Sequence, residues 1–348
     1  MNPDANSTPA EALSLLLAGQ SLTESQADAV FEQLLSGSLD DAQIGALLAL
    51  IQTRGATARE LTGAARAMRR HVDPVPFMPG EGVRLVDTCG TGGAPKAFNV
   101  STAAAIIAAA AGYPEGLRVA KHGNRSRTGR GSAEILGRLG VNLDASPDAQ
   151  ARCLEEAGVC FCFAMRHHPA MRHAAGPRRS LGFPTIFNLL GPLTNPAGAD
   201  RQLLGVYDRS CVRPMAEALA ALGSTRALVV HGTDGLDEMT TTGATVVAEV
   251  EGGVVVESEV SAEDYGIPRA SLADLQVQDL DEAEAVIRAV LAAEPGPRLD
   301  LALWNAAGTL LAGGAAETLA EALDLARDAV ESGAAEKTLE TLVRVSSS

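Results

Sequence analysis

The sequence predicts an α/β protein in which a small all-helical N-terminal domain precedes a larger α/β domain with a central, mostly parallel sheet. Three observations predict this. Residues 10–72 carry helix-capping signatures, and Pro74, Pro76, Pro79, Gly80 and Gly82 then break the helical pattern. From Val83 onward, short Val/Leu runs alternate with alanine-rich segments, the order expected of parallel strands joined by crossover helices. The division falls at residues 1–80 for the helical domain and 81–345 for the α/β domain.

The elements follow in chain order. Thr23 with Gln26, Asp40 with Gln43 and Thr57 with Glu60 have the spacing of a capping box or its Asp variant, and residues 10–72 read as four short helices. The α/β part reads as strand 83–87, helix 101–112, strand 117–120, helix 132–139, strand 159–163, strand 202–207, helix 213–222 and strand 226–230. Between 169 and 199, Pro169, Pro177, Pro184, Pro192 and Pro196 interrupt the pattern around an apolar helical segment, which predicts an excursion from the α/β body. Thr245–Val250 and Val254–Val260 flank Glu251-Gly252-Gly253 as a hairpin. Helices at 281–293, 299–312 and 315–333 complete the chain, with Ser346–Ser348 a frayed tail.

Composition narrows the function classes. With 348 residues, 46% hydrophobic and only 3% aromatic, the chain suits aliphatic helices on a sheet better than an all-β sandwich. A net charge of −15 argues against a general binder of nucleic acid or anionic membranes. The charge is uneven, however. Residues 118–133 hold five Lys or Arg and no acid, and residues 158–199 hold four arginines and three histidines and no acid. Basic islands on an acidic chain point to a small polyanionic ligand. Five cysteines without metal-ligand spacing suggest reduced thiols. No apolar run is long enough for a membrane span, and the expected location is cytoplasmic.

Asp87-Thr88-Cys89-Gly90-Thr91-Gly92-Gly93 ends an apolar run and turns into glycines. Such a turn either cradles phosphate or simply makes a tight corner. Asn99, Ser101 and Thr102 open the next helix, where unpaired N–H groups favour an anion; Ser101 and Thr102 also read as plain caps, a role compatible with ligand contact. The pattern is neither a Walker loop nor G-x-G-x-x-G, so ATP and NAD are not indicated. Lys121 and Arg125 flank a glycine after the next strand, and their fields would add at one phosphate-rich site. His122 between them reads either as a buried hydrogen-bonding residue or as a catalytic one. Gly129-Arg130-Gly131-Ser132 forms a second small-residue turn before a helix. Gly235-Leu236-Asp237-Glu238 offers two adjacent carboxylates, which suit a hard metal such as Mg²⁺ or a solvated acidic turn. His167-His168 and Arg178-Arg179 suggest a second pocket with a guanidinium for a carboxylate. Adjacent histidines in a strand would point to opposite faces, which discounts zinc.

In chain order these motifs resemble those of the anthranilate phosphoribosyltransferase family, within the nucleoside-phosphorylase-like phosphoribosyltransferase class. The resemblance covers nearly the whole chain. It is carried by Gly90-Thr91-Gly92-Gly93, Phe98-Asn99-Val100-Ser101-Thr102, Lys121-His122-Gly123-Asn124-Arg125-Ser126, the run from Ile186 to Pro196, Gly235-Leu236-Asp237-Glu238 and Trp304-Asn305-Ala306-Ala307. It implies transfer of the 5-phosphoribosyl group of phosphoribosyl pyrophosphate (PRPP) to the amine of anthranilate in tryptophan biosynthesis. It also implies a homodimer formed through the helical domain, on which residues 170–197 would pack. By motif, Gly90, Thr91, Gly92, Gly93, Asn99, Ser101, Thr102, Lys121 and Ser132 would hold PRPP. Ser101, Asp237 and Glu238 would serve Mg²⁺. Gly90, Asn124, His168 and Arg178 would face anthranilate, with Lys121 and Arg178 as the catalytic pair.

The chain departs from the family pattern at three places. Ala94-Pro95-Lys96 stands where an acid is usual, Arg130 lies near a common lysine, and Pro184 replaces a common arginine. The rival readings are a same-fold transferase with another aromatic acceptor, a pyrimidine nucleoside phosphorylase, and a nucleic-acid-binding paralogue.

Overall fold

A computed structural model describes residues 8–92, 97–126 and 129–348. Four helices open the chain: α1 (Pro9–Leu17), α2 (Glu24–Leu35), α3 (Asp41–Arg54) and α4 (Ala58–Arg70). Each starts at a reciprocal capping box, including the three read from sequence and a fourth at Thr8 with Glu11. The box at α4 extends into the core. Its Glu60 carboxylate is fully buried and accepts the Thr57 N–H at 2.9 Å, the Leu22 N–H at 3.0 Å and the Arg54 guanidinium at 2.5 Å. A buried carboxylate is tolerated when its lone pairs are met in this way.

The rest of the chain runs β1 (Arg84–Gly90), α5 (Val100–Gly112), β2 (Leu117–Gly123), α6 (Ser132–Arg138), α7 (Pro147–Glu156), β3 (Val159–Phe163), α8 (Ala164–His167), α9 (Arg172–Leu181) and α10 (Ile186–Leu190). It continues through β4 (Arg201–Gly205), α11 (Val212–Ala221), β5 (Arg226–Gly232), β6 (Ala244–Glu251), β7 (Val254–Ser261), α12 (Leu272–Leu275), α13 (Leu280–Leu291), α14 (Pro297–Gly313), α15 (Leu319–Glu331) and α16 (Ala334–Ser346). The seven strands form one sheet in the order β3-β2-β1-β4-β5-β6-β7. The first five are parallel, and β6 and β7 add the predicted hairpin antiparallel at one edge.

Two cores flank this sheet. On one side α5, α14 and α16 lie on the first five strands, with α13 and α15 packed on these helices. On the other, Leu204, Val206, Val229 and Val246 share a core with α11, the N-terminal helices and Ala174, Ile186 and Phe187 of the 169–199 excursion. That excursion packs on the helical bundle, where the Phe187 ring meets Phe31 edge-on at 5.7 Å. All five cysteines are free thiols. Among the described residues no helix is long and apolar enough to cross a membrane.

The structure corrects several expected boundaries. β1 runs on to Gly90 and β2 to Gly123, so Thr88-Cys89-Gly90 and Lys121-His122-Gly123 belong to strands rather than to the turns after them. Their backbones are satisfied by parallel partners: Thr88 faces Leu203, Gly90 faces Gly205 and Lys121 faces Phe161. Helix α7 was not expected, although Ser146 caps it and Pro147 opens it. Nor was α16, which follows the last expected helix and runs to Ser346, the first residue of the expected frayed tail, because Leu339, Leu342 and Val345 are buried against the neighbouring helices.

Candidate active site

The strand order reverses between β1 and β4. In a parallel sheet such a switch point leaves a crevice beyond the carboxyl ends of the two strands, where ligands bind. The last residues of these strands, Gly90 and Gly205, are register partners, and both lie against Asp237. A Cβ at Gly90 would stand 2.6 Å from Asp237 Oδ2, and one at Gly205 would stand 1.8 Å from the Asp237 carbonyl oxygen. Only glycines allow this approach. Gly205 was missed in the sequence reading; its one signal is a glycine at the end of a strand.

Three sequence-distant elements converge there. Lys121, 3% exposed, donates from Nζ to the Thr88 carbonyl at 2.9 Å and to Ser101 Oγ at 3.0 Å. Ser101 in turn gives its backbone N–H to Glu238. Burial is the main force that raises the Glu238 carboxyl well above the usual carboxylate range; neighbouring Asp237 adds to it and Lys121 opposes it. The same burial pulls Lys121 down, with Asp87 the main opposing charge. Asp237 and Glu238, both half-buried, thus share one nearby cation, an imbalance that a dication would relieve. Among the described residues no cluster of three or more His, Cys, Asp or Glu could hold a metal. The two carboxylates and the Ser101 hydroxyl are hard oxygen groups of the kind Mg²⁺ takes alongside waters and substrate phosphate.

The acid loop is tightly held. Asp234 accepts the Leu236 N–H at 3.0 Å, the Thr240 hydroxyl at 2.6 Å and the Thr242 hydroxyl. Within β1, Asp87 is buried and accepts the His122 N–H at 2.9 Å. Burial raises its carboxyl, while Asn195, the His122 N–H and Lys121 lower it.

The other predicted phosphate residues divide. Gly92 is exposed in the left-handed region, φ 66°. Thr91 is tied back, its hydroxyl accepting the Tyr207 N–H at 3.0 Å. Asn99 does not cap α5 but donates to the Arg130 carbonyl at 3.2 Å. Thr102 is fully buried and its hydroxyl meets no partner among the described residues. Ser132 lies over Gly123, where a Cβ would stand 2.2 Å from its hydroxyl. Gly93 and Ala94-Pro95-Lys96 lie outside the described residues. In the turn before α6, Glu134 accepts the Gly131 N–H at 3.0 Å, and Arg130 donates to the Val277 and Gln278 carbonyls. This arginine therefore ties two loops together. Arg125 is exposed, its guanidinium 5.8 Å from the Phe163 ring centroid.

The proposed acceptor side joins this cluster through two histidines. His122 Nδ1 lies 3.0 Å from the Gly191 carbonyl, and the two Nε2 atoms of His122 and His168 are 3.2 Å apart. Burial, then the neighbouring histidines, keeps both rings neutral: His122 falls well below its ordinary value and His168 drops to about 4. The carbonyl can only accept, so His122 carries its proton on Nδ1 and accepts at Nε2; His168 must then donate from Nε2. His168 Nδ1 is left as a buried acceptor without a partner among the described residues. Arg178, half-buried on α9, sits 5.2 Å from the Phe187 ring centroid and makes no ion pair among the described residues. Burial lowers its guanidinium from the ordinary value. Asn124 is exposed, its Oδ1 accepting the Arg125 N–H at 2.8 Å.

A helical bundle beside a parallel sheet, with cation, hydroxyl and acids gathered at the switch point, defines a group-transfer enzyme for an anionic substrate. Two family models match: the glycosyl transferase family helical bundle domain over residues 10–72 and the glycosyl transferase family a/b domain over residues 82–336. The chain is 49% identical over 339 residues to an anthranilate phosphoribosyltransferase from Rubrobacter xylanophilus, covering 97% of each. It superposes on the crystal structure of the Thermus thermophilus enzyme of that name with a TM-score of 0.88, at 41% identity, covering 97% of this chain and 99% of that one. It superposes on the Saccharomyces cerevisiae enzyme in complex with PRPP and Mg with a TM-score of 0.85, at 26% identity, covering 99% of both chains. The chain belongs to the anthranilate phosphoribosyltransferase family.

Proposed function

We propose that this chain transfers the 5-phosphoribosyl group of PRPP to the amine of anthranilate, giving N-(5-phosphoribosyl)anthranilate and pyrophosphate. The observation that carries this is the convergence of Lys121, Ser101 and Glu238 beside the Gly90–Gly205 pair, with Asp237 over it. The yeast relative, which binds PRPP and Mg, supports the same use of this crevice.

Departure of pyrophosphate leaves positive charge on the ribose carbon, so the work is electrostatic and positional. Asp237, Glu238 and the Ser101 hydroxyl would hold Mg²⁺. The ion would supply positive charge to the leaving pyrophosphate. Lys121, held rigid by Thr88 and Ser101, adds a fixed cation to the same group. Gly90 and Gly92 let backbone approach the phosphates.

On the acceptor side, the unpaired Arg178 suits the carboxylate of anthranilate bidentately. The unpartnered His168 Nδ1 is an acceptor for an amine N–H. Its low basicity suffices, because the amine becomes strongly acidic once it has attacked and its proton leaves late. A homodimer through the bundle is supported by an exposed face that includes Leu17, Ala42 and Ala46, and light scattering checks it. The five free thiols are compatible with a cytoplasmic site of action.

The deciding experiment incubates the protein with PRPP, Mg²⁺ and anthranilate and follows anthranilate fluorescence. Loss that depends on both PRPP and Mg²⁺ is expected. No consumption with PRPP in excess would sink the assignment of the acceptor.

A further inference from the structure

Helix α14 crosses the sheet buried along most of its length, yet it carries a polar residue in its middle. Asn305 is fully buried. Its Oδ1 accepts the Met239 N–H at 2.9 Å, and its Nδ2 donates to the Met239 carbonyl at 2.9 Å and to the Leu301 carbonyl at 2.9 Å. The amide orientation is unambiguous, because a backbone N–H needs the oxygen and a carbonyl needs the NH₂. One turn on, Gly308 faces the side chain of the same methionine: a Cβ there would stand 2.3 Å from Met239 Sδ. Met239, 1% exposed, immediately follows Glu238. A single helix face therefore grips residue 239 by its N–H, its carbonyl and its side chain.

We infer that Asn305, with Gly308, positions the Asp237-Glu238 pair for the metal. The inference rests on the proposed role of those acids. From the other end, Asp234 closes the loop on Leu236, Thr240 and Thr242, so the two acids stand between two fixed points. Satisfying a buried turn would by itself explain the amide pairing. It would not tie α14 to metal affinity, and that difference is measurable.

The test compares the parent protein with Asn305→Leu, Gly308→Ala and Ala307→Gly, the last weakening α14 on the opposite face. Thermal midpoints are recorded for all four. Mn²⁺ binding without substrate is read by electron paramagnetic resonance, and PRPP binding is read by calorimetry with and without Mg²⁺. Loss of an outer partner of a metal ligand weakens metal affinity about 10- to 100-fold. Asn305 holds the residue after Glu238 and not the ligand itself, so Asn305→Leu is expected to weaken Mn²⁺ binding about tenfold, the low end of that range, and to reduce the gain in PRPP affinity from Mg²⁺. Gly308→Ala should do so to a smaller degree, and restoring space with Gly308→Ala/Met239→Ala should recover part of it. Ala307→Gly should lower the thermal midpoint with Mn²⁺ binding unchanged. Unchanged Mn²⁺ affinity in Asn305→Leu, or an equal loss in Ala307→Gly, would overturn the inference. If the parent binds Mn²⁺ through this clamp but never PRPP, the transferase assignment falls and the clamp stands.

Discussion

The two sides of the crevice are built on opposite principles. On the phosphate and metal side, the charged groups are already engaged: Lys121 with Thr88 and Ser101, Glu238 with Ser101, and Asp234 with three donors. On the acceptor side, Arg178 has no acid among the described residues and His168 Nδ1 has no donor. A rigid array can stabilise charge as it develops without reorganising. A wall of unmatched polar atoms instead gains most from the ligand that matches them, since each unmet buried group costs free energy. On the roles proposed for these residues, catalysis and acceptor choice are separable in this chain.

Removing the central cation should break the first side outright. Lys121→Met leaves Glu238 and Asp87 without their nearest positive charge, and turnover at saturating substrates should fall about 100- to 1,000-fold. Steady-state kinetics check this. Retained turnover would remove Lys121 from the charge array.

The next effect concerns the histidine pair and pH. His168 falls from an ordinary 6.5 to about 4 in the folded protein. Between those values the unfolded chain binds more protons, so stability declines as pH falls from 6.5 towards 4. For this one group the full effect is about 3 kcal/mol. Urea unfolding of the parent and of His168→Asn across that window should give curves whose difference shrinks as pH falls and levels near pH 4. A constant difference would show that His168 is not held neutral.

The smallest expected change sharpens the second side. Arg178→Lys keeps the charge but loses the planar fork, so KM for anthranilate should rise about tenfold. KM for PRPP should stay the same. A rise in both would mean that the two sides are not separable at Arg178.

Much of this was legible in the sequence, for local reasons. The capping boxes at Thr23, Asp40 and Thr57 were readable because a cap and its partner lie three residues apart. The hairpin at Gly252-Gly253 was readable from its turn. Lys121, Ser101, Asp237 and Glu238 stood out by type and setting. What could not be read was their pairing, because residues 20 and 137 positions apart meet only once β2, β1, β4 and β5 stand in order in the sheet with α5 packed on it. The strand ends at Gly90 and Gly123 were misread for the same reason: glycine marks a turn locally, while the neighbouring strand decides whether the ladder continues.

The sequence by itself determined the helical bundle, the strand–helix alternation and the residue types of the site, since these depend on capping chemistry and on side-chain periodicity within a few residues. The tertiary structure alone decided the switch point between β1 and β4, the fit of Asp237 against Gly90 and Gly205, the proton order of His122 and His168, and the grip of Asn305 on Met239. Each of these is a close contact between remote segments. Its energy comes from burial and from matched donors and acceptors, which exist only when the segments are packed together.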